Sequence, residues 1–132
     1  MMSESYKYET VLLVDDSHID SMISSKILKS SHYAERVLII PSPQKAIDFI
    51  RESVLFQTDI PEVLFLDLRM PEMNGFDFLK ELDIIEGFAS YELKIYVLSS
   101  SLDPKDYHMI RQNKLISKFI GKPLTSEILE SI

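Results

Sequence analysis

The sequence predicts one α/β domain, a parallel sheet with helices on both faces, on three observations. Short runs such as Val11-Leu12-Leu13-Val14 and Val63-Leu64-Phe65-Leu66 are apolar throughout, as strands covered on both faces of a parallel sheet are. Such runs alternate with segments of helical spacing along the chain. No repeat, low-complexity tract or linker interrupts the 132 residues, a length that suits a single domain with its own core.

Taken in order, residues 1–8 are polar and are expected to fray, leaving a core from about residue 10 to 132. The strand candidates are residues 10–14, 36–40, 63–67, 95–99 and 118–121. After the first, Ile19, Met22, Ile23 and Ile27 share one face of a helix, and Ser17 with Asp20 forms the start of a capping box. Ser42-Pro43 and Asp103-Pro104 each set a capping side chain before a proline at the first helical position. The helix from Ser42 would bury Ala46, Ile47 and Ile50, and the one from Asp103 carries Tyr107 and Ile110. A helix after Gly75 turns Phe76, Leu79 and Leu82 inward, and a short last one carries Ile128, Leu129 and Ile132. Asn74-Gly75 is a turn signal in which glycine permits a backbone that a side chain would oppose. Residues 86–92 read as a tolerated loop insertion.

Composition removes several function classes. The net charge of −7 disfavours non-specific contact with nucleic acid or anionic membrane. No apolar run approaches a membrane span, and no signal peptide is expected. The absence of cysteine excludes disulfides, thiol catalysis and zinc–thiolate sites, and is compatible with a reducing cytoplasm. His18, His32 and His108 are scattered and expected to face solvent.

The chemistry gathers at strand ends. Asp15 and Asp16 follow the first apolar run and Asp67 follows the third. In open parallel sheets ligands bind outside the carboxyl ends of the strands, near the point where strand order reverses. Acids placed there repel one another by roughly 4 kcal/mol per close pair at an effective dielectric of about 20. A site that tolerates this holds a hard cation and something anionic beside it. Ser99, with Ser100 and Ser101 beside it, follows the fourth run, and Lys122-Pro123 follows the fifth.

The ordered pattern VLLVDD, FLDLRMPEMNG, YVLSS and KFIGKP resembles the receiver domain of two-component response regulators over nearly the whole chain. The resemblance implies a doubly wound, flavodoxin-like sheet of strand order 2-1-3-4-5. It implies that Asp67 is the phosphoacceptor, attacking a phosphohistidine to form an acyl phosphate. Asp16 would ligate Mg2+ (or Mn2+) directly, Asp15 through water, Asp67 by its carboxylate and Arg69 by its carbonyl. Lys122 would bring a compact positive charge to the phosphoryl oxygens, aimed inward by a cis peptide before Pro123. Ser99 would turn its hydroxyl toward the phosphoryl group, although the neighbouring serines leave the register open. Phe119 stands at the aromatic switch position, where a core role is equally open. The implied partners are a sensor histidine kinase or a histidine phosphotransfer protein, then a downstream protein that the sequence does not name.

The expected function is thus a stand-alone, cytoplasmic receiver in a phosphorelay, monomeric or dimerising on phosphorylation, without nucleic-acid or membrane partners. It would be an autocatalytic phosphoacceptor and not a turnover enzyme. A hydrolase with an aspartyl-phosphate intermediate would need a second acid two residues after the nucleophile, where this chain has Arg69. A scaffold without phosphorylation would have no reason to keep mutually repelling acids. Arg69 and Ser101 are also expected to border the phosphoryl group, with Arg69 screening it from water.

Overall fold

Five parallel strands run through the centre in the order β2-β1-β3-β4-β5. They are β1 (Tyr8–Val14), β2 (Ala34–Ile39), β3 (Val63–Asp67), β4 (Lys94–Ser99) and β5 (Ile116–Gly121). Between and after them lie α1 (His18–Ser30), α2 (Pro43–Phe56), α3 (Gly75–Asp83), α4 (Pro104–Gln112) and α5 (Ser126–Glu130). This computed structural model describes residues 5–132; the part of the expected frayed segment before Ser5 lies outside the described residues. Within that segment Tyr8 already belongs to β1, and the Lys7 and Tyr8 amides donate to the carbonyls of His32 and Tyr33.

The period of two along each buried strand divides the core into two layers. Leu12, Val14, Leu64, Leu66 and Ile95 point toward α2 and α3, among Ile47, Ile50, Phe78 and Leu82. Val11, Leu13, Val63, Phe65 and Leu98 point the other way, among Leu28, Leu124 and Leu129. A smaller third cluster of Leu68, Phe76 and Val97 lies under α4, with Met109, Ile110 and Phe119 packed on it. Each of the five α-helices is entered through a side-chain cap. Ser17, Ser42, Asn74, Asp103 and Thr125 each accept a hydrogen bond from the amide three residues on.

Three local expectations are corrected. The apolar stripe of α1 faces solvent: Ile19, Met22 and Ile23 are 70%, 58% and 50% exposed. Ser21, Ser24 and Leu28 are buried in its place, and the Ser21 hydroxyl donates to the Asp15 carbonyl at 3.3 Å. Small residues let the helix approach the end of β1 and set its rotation, so Ile27 alone of the four reaches the core, partly buried. Residues 86–92 are more than an insertion, because a 3-10 turn (Phe88–Ser90) plants Phe88 in the core and the Tyr91 hydroxyl donates to the Val54 carbonyl. Gly75 is required for a different reason than a turn dihedral. A Cβ there would lie 3.0 Å from Leu68 Cδ1 and 3.1 Å from Leu68 Cα, so glycine lets α3 start against the end of β3.

Candidate phosphoacceptor site

Strand register builds the site. In the pairing of β1 with β3, Val14 lies opposite Leu66, so Asp15 and Asp67 are the next residues on adjacent strands. Asp67 pairs with Leu98 and Ser99 pairs with Gly121, which brings Ser99 and Lys122 to the same rim. The carboxylates of Asp15, Asp16 and Asp67 each offer an oxygen within 4.8 Å of the other two. Asp15 and Asp67 are buried and Asp16 is exposed.

Few donors face these acids. Asp15 accepts from the Ser17 amide at 2.9 Å and from Lys122 Nζ at 2.8 Å. Asp67 Oδ1 lies 3.5 Å from Lys122 Nζ and accepts from the Arg69 amide at 3.4 Å. Burial, and then the nearby charge of Asp15, push the Asp67 carboxyl from 3.8 up to about 6, against the opposing pull of Lys122 and the Arg69 amide. For Lys122, burial alone would favour the neutral amine. Hydrogen bonds to Asp15 and Asp20 outweigh it and hold the ammonium above its ordinary value. Three carboxylates against one ammonium leave an excess of negative charge on oxygen ligands, the donor set that hard divalent cations take. The residues present therefore fit Mg2+.

The other predicted residues take distinct places. The Lys122–Pro123 peptide is cis. Ser99 is buried, whereas Ser100 and Ser101 are exposed. Its hydroxyl is turned onto its own turn, donating to the Ser101 carbonyl at 2.6 Å. Phe119 is half-buried in β5, edge-on to the Tyr107 ring at 6.1 Å. His18, His32 and His108 are exposed. The side chain of Arg69 does not screen Asp67: its guanidinium is bound to Asp106, with Asp103 at 3.9 Å, at the start of α4. Ser101, exposed, offers its carbonyl to Ser99.

Sequence reasoning missed two acids. Asp20 was read only as a helix cap, yet its carboxylate accepts from Lys122 Nζ at 2.9 Å. Asp106 is buried and holds Arg69, and it completes a capping box with Asp103. The spacing Asp103-x-x-Asp106 was the available signal for the second. Nothing in the sequence marked the first.

The model of the family described as "Response regulator receiver domain" matches residues 11–132. A two-component response regulator of rice, ORR1 (Oryza sativa subsp. japonica), is 29% identical over 124 residues, 92% of this chain and 52% of its own length. The chain spans as little as 19% of the length of other curated relatives that it matches. Among solved structures, a two-component response regulator from Cytophaga hutchinsonii superposes with a TM-score of 0.84 at 26% identity, covering 94% of this chain and 92% of that one. A response regulator receiver protein from Dyadobacter fermentans DSM 18053 gives 0.79 at 30% identity, covering 93% and 96%. With the strand order 2-1-3-4-5 and the acidic cluster at its rim, these matches lead to one conclusion: the chain belongs to the response regulator receiver domain family.

Proposed function

We propose that this chain accepts a phosphoryl group on Asp67 from a phosphohistidine donor and relays it as a change in partner binding. The observation that carries the reading is the convergence of Asp15, Asp16 and Asp67 within 4.8 Å, with Lys122 Nζ 3.5 Å from Asp67. In the transfer, an Asp67 carboxylate oxygen forms the new P–O bond while the P–N bond to the donor imidazole breaks. The products are an acyl phosphate and a free histidine. The carboxylates of Asp15, Asp16 and Asp67 and the Arg69 carbonyl would hold Mg2+ or Mn2+. When bound, the ion neutralises charge between the acids and the incoming phosphoryl oxygens.

Lys122 contributes a fixed positive charge where a phosphoryl group on Asp67 would come to rest. Ser99 would leave the Ser101 carbonyl to donate to a phosphoryl oxygen, and Phe119 would fill the space behind it. This biases a two-state equilibrium. Such a group is a phosphoacceptor acting once on itself, not a turnover catalyst. The donor is a sensor histidine kinase or a histidine phosphotransfer protein, and the exposed Ile23, which lines a pocket with Lys122 and Pro123, gives it an apolar surface to dock on together with the exposed Ile19 and Met22 of the same helix. The downstream partner would read the Phe119 side of the domain. A cytoplasmic location accords with such donors, and among the described residues no helix is long and apolar enough to cross a membrane.

Intact mass after incubation with Mg2+ and acetyl phosphate tests the reading. One added phosphoryl group, absent in Asp67→Asn and in chelator, is the expected result. No addition to folded protein, from acetyl phosphate or from a phosphorylated histidine phosphotransfer protein, would contradict it.

A further inference from the structure

We infer that Asp20 is a positioning residue for Lys122, holding its ammonium in the site independently of the carboxylates that would share a cation. The inference rests on the phosphoacceptor reading above for its functional meaning.

Asp20 stands in the first turn of α1, where a capping box would send its carboxylate back to the Ser17 amide. That amide instead donates to Asp15 at 2.9 Å, while Ser17 Oγ still accepts from the Asp20 amide at 3.3 Å. The Asp20 carboxylate is thereby released from capping, and it lies 2.9 Å from Lys122 Nζ.

An ammonium has three protons to place. Two are held by Asp15 at 2.8 Å and Asp20 at 2.9 Å, and the third has Asp67 at the longer distance of 3.5 Å. The Lys122 side chain is only 13% exposed, so a lost carboxylate is poorly replaced by water. Asp15 and Asp67 both belong to the three-carboxylate cluster, and Asp20 does not. Without Asp20, every strong partner of Lys122 would also be a partner of the cation. With it, Lys122 keeps a counter-charge on the α1 side and leaves its third proton for an oxygen carried on Asp67.

The experiment combines two readouts on wild type, Asp20→Asn, Asp20→Ala and Asp20→Glu, all checked for folding by circular dichroism. The first is the 15N–1H signal of the Lys122 ammonium in lysine-labelled protein, titrated with Mg2+. The second is the initial rate of phosphorylation by acetyl phosphate at saturating Mg2+. In wild type the ammonium signal is expected to persist through the titration. In Asp20→Ala and Asp20→Asn it should broaden away as Mg2+ is added, and the rate should fall about tenfold, which is about 1.4 kcal/mol of transition-state stabilisation. Asp20→Glu, which can still reach Lys122, should restore both.

An ammonium signal that survives Mg2+ in Asp20→Ala, with a rate within about twofold of wild type, overturns the inference. A rate loss without the spectral change, or one that Glu does not rescue, also overturns it, since a structural defect would give that pattern. If wild type itself takes no phosphoryl group, the phosphoacceptor reading fails, and the ammonium signal still decides whether Asp20 positions Lys122.

Discussion

Replacing Asp67 by Asn should stabilise the metal-free protein at neutral pH. The buried carboxyl is raised from 3.8 to about 6, by burial first and by Asp15 second. Between those two values the native state holds a proton that the unfolded chain has released, so stability falls as pH rises through that window. The favourable contribution is fully present below about pH 4 and is lost above about pH 6. Each pH unit between the values is worth about 1.4 kcal/mol, which sets a ceiling of about 3 kcal/mol on the strain of an ionised Asp67. Asn keeps an oxygen for the Arg69 amide, and the attraction of Lys122, 3.5 Å away, for an ionised Asp67 is already contained in that ceiling. The gain is therefore at most about 3 kcal/mol at pH 7, or roughly 9 to 15 °C in Tm for a domain of this size. Thermal and urea unfolding in chelator, at pH 4 and pH 7, read it directly. The gap should nearly close at pH 4, and Mg2+ should narrow it at pH 7 by stabilising wild type alone. An Asp67→Asn protein no more stable than wild type at pH 7, or a gap that is the same at both pH values, would refute the reasoning.

Other features give equally direct outcomes. Asp106 is the one buried residue of α4, so Arg69→Ala should leave a carboxylate without its cation, at a cost of about 1 to 2 kcal/mol. It should also speed amide exchange across α4, and the double variant with Asp106→Asn should lose less than the two single losses added together. Gly75→Ala forces a Cβ against the Leu68 backbone, and urea unfolding should show a loss of about 1 to 3 kcal/mol. Phe88→Ala should cost about 3 kcal/mol by opening a cavity under α2 and α3, while the phosphorylation rate stays that of wild type.

How much was legible follows from what each residue answers to. The three central strands were readable because burial on both faces leaves no polar alternation, and their register then delivers Asp15, Asp67, Ser99 and Lys122 to one rim. The ends of β1 and β2 were not. Tyr8, Tyr33 and Ala34 pack at the sheet's lower edge, where strand and turn residues look alike. The apolar stripe of α1 misled because its spacing is sound as a helix, but that helix buries small Ser21 and Ser24 instead, with Ser21 bonded to the Asp15 carbonyl after β1. Asp20 and Asp106 act across distances of 102 and 37 residues in sequence, on Lys122 and Arg69, and pairings of that kind leave no local signature. The Arg69 backbone stays beside Asp67, but its long side chain found a buried partner in Asp106.

The most direct test of the account is the position of the phosphoryl group. Protein phosphorylated in Mg2+ would be reduced with borohydride, which converts an aspartyl phosphate to homoserine, and the modified residue located by peptide mass spectrometry. Homoserine is expected at position 67 and nowhere else. A modification at Asp15, Asp16 or Ser99, or unmodified peptides from folded protein exposed to a competent donor, would contradict it.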